Sequence, residues 1–234
     1  MAILAIETST RQTSIALGTR DGLLASELVA GDRAHAELVV PAIGHVLELA
    51  GLRVSQTSGI AVGRGPGLFT GLRVGVATAR ALAQVLRVPI VGIGSLDVLA
   101  FPLRHARGRI GAVTDAKRGE VFYAFYRPVP GGLAREGPVT VGGPERLVAD
   151  LDAVGEDTLL VGDGAVRYRR ELEEAGTPLE FASASMAFPH AEALVELALP
   201  RFEREETERP EDVRPEYVRK SDAEINWSRA GRVA

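Results

Sequence analysis

The chain contains no cysteine and only four histidines among its 234 residues. Without cysteine the protein can form no disulfide, use no thiolate nucleophile and build no cysteine-ligated metal site. The histidines stand at positions 35, 45, 105 and 190, so no two of them share a helix face at a spacing of three or four. A dedicated transition-metal centre is therefore not expected.

The chain also lacks an excess of positive charge and a long apolar run. Its 27 basic and 31 acidic residues give a net charge of -4, so no global cationic field is available to hold a polyanion such as RNA. No uncharged apolar run reaches the roughly 20 residues that span a bilayer, and the N-terminus lacks the basic region of a signal peptide. The 46% hydrophobic content is that of a globular protein, which we expect to be cytoplasmic.

Two halves of alternating strands and helices are expected, with a hinge at 102–108. The first half, 1–103, should contain strands at 2–6, 13–17 and 23–29, a helix at 33–50 capped by Asp32, a strand at 60–62, a helix at 70–87 and a strand at 89–93. The second half, 108–203, reads as a weaker copy with strands at 109–114, 120–126, 139–141 and 158–161 and helices at 144–151, 165–175 and 190–202. Half of the residues from Arg201 onward are charged, so residues 204–234 are expected to form an extended or disordered tail.

Two helices of the first half carry more apolar surface than one sheet face requires. In the helix at 70–87, the charges fall only at Arg73, Arg80 and Arg87, and glycine or alanine recurs every fourth residue. The helix at 33–50 has an apolar arc of roughly 200°. Such helices are either buried core helices or docking helices for a partner. The residues expected at a partner interface are His35, Leu38, Val39, Ala42, Ile43, Val46, Gly71, Leu72, Gly75, Val76, Ala79 and Ala83. As a lone histidine, the first of these is more often a packed, hydrogen-bonded residue than a catalyst.

A glycine-rich loop at Gly63–Gly67 precedes the second of these helices. Free N–H groups at a helix N-terminus attract anions, but the loop lacks the Gly-Lys-Ser/Thr ending of a P-loop. It is either a tight strand-to-helix turn or a weak anion or nucleotide site. The residues of that weak candidate site are Glu7, Thr8, Ser9, Thr10, Gly65 and Gly67. The corresponding alternative function is an ATP-dependent, kinase-like phosphotransferase in which Glu7 organises Mg²⁺ near the phosphates.

Five segments of the chain together resemble one family. They are Ile-Glu-Thr-Ser-Thr at 6–10, the glycine-rich stretch at 63–75, Val-Pro-Ile-Val-Gly-Ile at 88–93, Asp-Ala-Lys-Arg-Gly-Glu-Val-Phe at 115–122 and Pro-Glu-Tyr-Val-Arg at 215–219. On these segments the chain resembles the TsaB family, formerly YeaZ, the bacterial subunit of the machinery that makes N6-threonylcarbamoyladenosine at position 37 of tRNA. The resemblance implies the actin/hexokinase/Hsp70-like (ASKHA) fold, with two similar α/β halves and mixed sheets.

The resemblance also implies a non-catalytic subunit that binds the catalytic paralogue TsaD. TsaD holds its metal with histidines in a segment that follows the strand similar to 89–93, whereas Ser95 and Leu99 stand there in this chain. The ATPase TsaE is expected on the assembled pair, tRNA contact mainly through the complex, and a homodimer could form without TsaD. No cofactor of its own is expected, although ATP or ADP remains open. Peptidase activity is not expected, since no Gly-x-Ser-x-Gly elbow, cysteine or metal-ligand pair is present.

Overall fold

A computed structural model describes residues 1–31 and 35–219. The first half builds a five-stranded sheet in the order β3-β2-β1-β4-β5. β2 runs antiparallel to β1 and to β3, whereas β4 runs parallel to β1 and to β5, so the sheet is mixed. The elements in chain order are β1 (Ile3–Glu7), β2 (Gln12–Thr19), β3 (Gly22–Ala30), α1 (His35–Leu49), β4 (Gly59–Gly63), α2 (Phe69–Leu86), β5 (Ile90–Ile93) and α3 (Ser95–Ala100).

The second half repeats this arrangement with a second mixed sheet, in the order β10-β9-β6-β7-β8. Adding five to the number of each strand in the first sheet gives this same order, read from the other end. The expected duplication is thereby confirmed. The elements are β6 (Arg109–Lys117), β7 (Glu120–Val129), β8 (Gly132–Gly142), α4 (Pro144–Val154), β9 (Thr158–Val161), α5 (Asp163–Arg167), α6 (Arg169–Leu172), β10 (Leu179–Phe181) and α7 (Ala191–Glu203).

Strand register extends the duplication to single residues. Ile3 pairs with Gly59 in the first sheet, and Arg109 pairs with Thr158 in the second. Counting along the strands from these pairs makes Gly63 equivalent to Gly162. A Cβ at Gly63 would collide with the Glu7 carboxyl. Gly162 has a positive φ, and its Cβ would collide with the carbonyl of Val113, the counterpart of Glu7.

The last helix of each half packs into the core of the other half. Leu96 and Leu99 of α3 join Ile110 and Phe122 in a core cluster of the second half. Most of the buried side chains of α7, among them Leu194, belong to a cluster on the first sheet. The expected boundaries of 1–103 and 108–203 therefore separate the two sheets but assign these two helices to the wrong cores, because sequence order does not show on which sheet a closing helix folds back.

Residues 204–219 extend along the first half with no helix and no strand beyond one isolated bridge. The amide of Glu208 donates to the carbonyl of Ile90 at 2.9 Å, beside the edge strand β5. Val213 is fully buried in the core between the first sheet, α1 and α2. The part of the expected tail that the structure describes is extended; residues 220–234, together with Asp32, Arg33 and Ala34, lie outside the described residues.

Smaller differences concern short elements. The helix expected at 165–175 is broken at Tyr168 into α5 and α6. The strand β10 and the helix α3 were not predicted, because three or six residues carry too little periodicity to be recognised. In the described parts of the chain, no helix combines the length and hydropathy needed to cross a bilayer.

We expect Val213→Ala to lower the free energy of unfolding by about 2 kcal/mol, since two buried methyl groups are lost from a packed core. The matched control Val129→Ala removes the same atoms from an exposed strand position and should stay within about 0.5 kcal/mol of the unsubstituted chain. Urea denaturation of the three proteins measures both effects. Equal losses in the two variants would show that Val213 is not part of the folded core.

Candidate docking surface

The helices α1 and α2 run parallel on one face of the first sheet. β3 is parallel to β1, because β2 is antiparallel to both, and β4 pairs with β1 in parallel. Each helix follows one of these two strands and returns along the sheet in the opposite direction. Side chains of both helices join the core over this face together with Leu4, Ile6 and Val62. The sheet therefore fixes both the direction and the inward face of each helix.

Most residues that the sequence assigned to a partner interface lie in this core instead. Except for His35 and Leu38, which are partly exposed, all of them are buried within the chain. The buried ones are Val39, Ala42, Ile43, Val46, Gly71, Leu72, Gly75, Val76, Ala79 and Ala83. The sequence pattern allowed either a core position or an interface position for these residues. They lie in the core, because the first sheet covers their side of the helices.

The small-residue ridge of α2 accommodates the end of β1. A Cβ at Gly71 would collide with the carbonyl oxygen of Thr8, and a Cβ at Gly75 would collide with the Thr8 Oγ1. That hydroxyl donates to the carbonyl of Gly71 at 2.8 Å. The glycines thus permit a close approach within the chain, and a substitution such as Gly75→Leu would disturb the fold before it disturbed any partner.

The opposite faces of both helices are open to solvent. On α2 the exposed residues recur every three or four positions in line with Arg73, and on α1 they include Val40, which is 66% exposed. The set defined here as the docking surface is Glu37, Val40, Pro41, Gly44 and Glu48 of α1 with Thr70, Arg73, Ala77, Ala81 and Gln84 of α2. The acidic residues of the docking surface lie on α1, and its basic residue lies on α2.

The position of the charged residues on α2 could have predicted this outward face. Charged side chains such as Arg73 mark the solvent side of a helix, so residues four and eight positions further along share its exposure. These are Ala77 and Ala81, whose small side chains were assigned to no face.

His35 is a packed residue at the N-terminus of α1. Its Nδ1 lies 2.7 Å from the Thr13 Oγ1, and its ring lies close to Gly71, where an added Cβ would be 2.9 Å from the imidazole. Desolvation lowers the pKa of this imidazole. The ring therefore stays largely neutral at pH 7 and ties α1 to β2 and α2, in agreement with the structural alternative.

A hydrogen-bonded network closes the end of β1 beneath the glycine-rich loop. The Glu7 carboxylate accepts the Ser9 amide at 2.7 Å and the Ser95 hydroxyl at 2.9 Å. The same hydroxyl oxygen accepts the Gly65 amide at 3.1 Å. Burial raises the pKa of Glu7 above its ordinary value, and these hydrogen bonds offset part of the rise.

The candidate anion-site residues are brought together, but as a closed packing unit. Glu7, Thr8, Ser9 and Thr10 are all buried, and a Cβ at Gly67 would collide with Ser9. Two amides of the loop are engaged within the chain: Gly65 donates to Ser95, and Leu68 donates to the carbonyl of Ser9 at 2.6 Å. The geometry is that of a tight strand-to-helix turn rather than an open phosphate cradle.

Two further positions bear on catalysis. Ser95 belongs to the Glu7 network, and Leu99 is buried in the second half's core. In the part of the chain that the structure describes, no group of three or more histidine, aspartate or glutamate side chains could hold a metal ion. These residues serve the fold, and the exposed faces of α1 and α2 are the best candidate for a functional surface.

Comparison with known proteins gives the same family at the level of sequence and structure. The family model described as TsaD, tRNA N6-adenosine threonylcarbamoyltransferase, matches residues 27–227. The tRNA threonylcarbamoyladenosine biosynthesis protein TsaB of Escherichia coli is 30% identical over 98% of this chain and 98% of its own length.

Solved structures extend this comparison to the fold. YeaZ from Pseudomonas aeruginosa is 31% identical and superposes with a TM-score of 0.79, over 93% of this chain and 99% of that one. The activator of 2-hydroxyisocaproyl-CoA dehydratase from Clostridium difficile matches the fold alone, with a TM-score of 0.51 at 9% identity, over 88% of this chain and 96% of that one. The architecture is the ASKHA fold that the sequence predicted.

The raised pKa of Glu7 predicts a pH-dependent stability that Glu7→Gln removes. Between the unfolded and the folded pKa, the folded state binds more protons, so the free energy of unfolding should fall as pH rises through the folded pKa. The glutamine cannot ionise, so the variant should gain stability relative to the unsubstituted chain as the pH rises above the ordinary glutamate pKa. Urea denaturation across this range, with exposed Glu180→Gln as the control, measures the difference. Parallel curves for Glu7→Gln and the unsubstituted chain would contradict the prediction.

Proposed function

The chain belongs to the TsaB family of tRNA threonylcarbamoyladenosine biosynthesis proteins, and on that premise we propose that it is the non-catalytic subunit that docks on TsaD and activates it for tRNA modification. The observation that carries the proposal is the docking surface on α1 and α2. Val40 is largely exposed there, while Gly44, Ala77 and Ala81 leave room for close helix approach. Small residues on adjoining helix faces allow a partner's helices to pack into the grooves between them.

A shared ancestry supports TsaD as the partner. The TsaD model matches this chain from residue 27 to 227, so TsaD has counterparts of α1 and α2. Two related helix pairs can pack face to face about an approximate two-fold axis, with helix axes roughly 8–10 Å apart at the contact. The same geometry allows a homodimer of this chain when TsaD is absent.

The closed end of β1 supports a role without catalysis of its own. Glu7 is the carboxylate that a kinase-like mechanism would need, yet it is buried and bonded to Ser9 and Ser95. A phosphotransferase requires an open site with N–H groups aimed at phosphates, and the amides of Gly65 and Leu68 are directed elsewhere. We therefore propose activation through docking, without a cofactor held by this chain.

The remaining associations follow from charge and from the family. With a net charge of -4, this chain offers no general attraction for a polyanion. We propose that tRNA is contacted mainly through the complex, and that TsaE joins once this chain and TsaD have assembled. Docking would activate TsaD by favouring the conformation that the bound helices fit best.

The variant Ala77→Arg tests the docking surface. A long charged side chain in the middle of the exposed face of α2 should hold the helices apart and raise the Kd for TsaD roughly 100-fold, about 2.7 kcal/mol. Ala153→Arg, at an exposed position of α4 in the second half, is the matched control and should bind as the unsubstituted chain does. Isothermal titration calorimetry with purified TsaD gives the affinities. Unchanged binding by a folded Ala77→Arg variant would place the interface elsewhere.

A further inference from the structure

A stack of three side chains stands at the N-terminal end of the docking surface. The guanidinium carbon of Arg73 lies 3.8 Å from the centre of the Phe69 ring. The ring of Tyr217 lies 5.3 Å from that of Phe69, and the Arg73 Nε donates to the Tyr217 hydroxyl at 3.1 Å. All three side chains are exposed, so the stack faces outward on the same side of α2 as Ala77.

Residues on both sides hold Tyr217 in place. Before it, Val213 is buried in the core and the amide of Glu216 donates to the carbonyl of Arg64 at 2.7 Å. After it, Val218 packs against the second half's core and Arg219 pairs with Glu120 at 2.7 Å. These contacts fix the backbone on both sides of Tyr217 and thereby the position of its phenol ring.

This arrangement restricts Arg73 in a way that favours binding. A free arginine loses about 2 kcal/mol of rotamer entropy when it is immobilised. Here the Phe69 ring supports one face of the guanidinium and the Tyr217 hydroxyl fixes Nε. A planar guanidinium that is already oriented can form paired hydrogen bonds to a carboxylate at a smaller entropic cost.

We propose that Tyr217 is a positioning residue for docking, which holds Arg73 to receive an acidic side chain of the partner. The inference rests on the proposed function, because it assigns chemistry to the surface that binds TsaD. Charge selects this occupant: α2 carries no acidic residue between Phe69 and Leu86, so Arg73 meets no competing carboxylate on its own helix. RNA phosphate is the less suitable anion, since Glu37 and Glu48 on the adjoining α1 would repel an extended polyanion.

A double-mutant cycle on the full-length chain tests the proposal. Tyr217→Phe retains the ring on Phe69 and removes only the hydroxyl, while Arg73→Lys retains the charge and removes the planar donor group. Each single variant should raise the Kd for TsaD by roughly threefold to tenfold, the net effect of one hydrogen bond of ordinary strength. The double variant should be no weaker than the weaker single variant, because both changes remove one unit.

Two controls separate positioning from folding and from simple charge. Arg169→Lys alters another exposed arginine that lies over an aromatic ring, at 4.5 Å from Phe181 in the second half, and should leave the Kd unchanged. The thermal midpoints of all variants should agree within about 2 °C. The Kd of the unsubstituted chain and that of the double variant should rise with ionic strength to a similar extent, because Arg73→Lys retains the charge.

The outcomes distinguish this inference from the proposed function. A coupled loss in the two single variants, with Arg169→Lys unaffected, supports it. Binding that stays unchanged in Tyr217→Phe, or losses that add in the double variant, overturns the inference while the docking proposal stands. Absence of TsaD binding by the unsubstituted chain overturns both, and binding of tRNA that is lost in Arg73→Lys while TsaD binding is kept would assign the arginine to RNA instead.

Discussion

The close approach of β1 to α2 is the contact on which the rest of the first half depends. The Thr8 hydroxyl reaches the carbonyl of Gly71 only because that residue and Gly75 have no Cβ. This contact sets the rotation of α2 on the sheet, and the rotation decides which side chains enter the core and which face solvent. Arg73, Ala77 and Ala81 are directed outward as a consequence, so a constraint inside the chain creates the surface that we propose binds a partner.

Helical spacing predicted this close approach but not its partner. A repeat of small residues every four positions shows that something packs tightly against one side of α2, and the sequence cannot say whether that neighbour is a strand of the same chain or a helix of another. The fold itself was largely predictable, since most strands and helices carry clear periodicity. The site was not, because Gly71 and Gly75 owe their role to Thr8, more than sixty residues away in sequence.

The segment after Arg201 shows a second limit of prediction from composition. Residues after Arg201 are rich in charge and proline, which is typical of a solvated tail, yet Val213 joins the core of the first half and Val218 packs against that of the second. Backbone hydrogen bonds from Glu208 and Glu216 complete the attachment. Neither an isolated valine nor a backbone amide leaves a pattern in sequence. Helix α7 presents the same difficulty on a larger scale, since its contacts with the first sheet depend on topology rather than on its own residues.

The internal duplication explains why docking would belong to one half only. The counterpart of α2 in the second half follows Gly162, but it is split at Tyr168 into α5 and α6, whereas α2 runs unbroken from Phe69 to Leu86. The short pieces suffice to cover β9 and offer no long face to a partner. Both halves thus have a glycine where the inner strand ends, at Gly63 and at Gly162, while helix length has diverged. Since a docking helix needs several turns to bury enough surface, the docking role that we propose fits the long pair α1 and α2 of the first half.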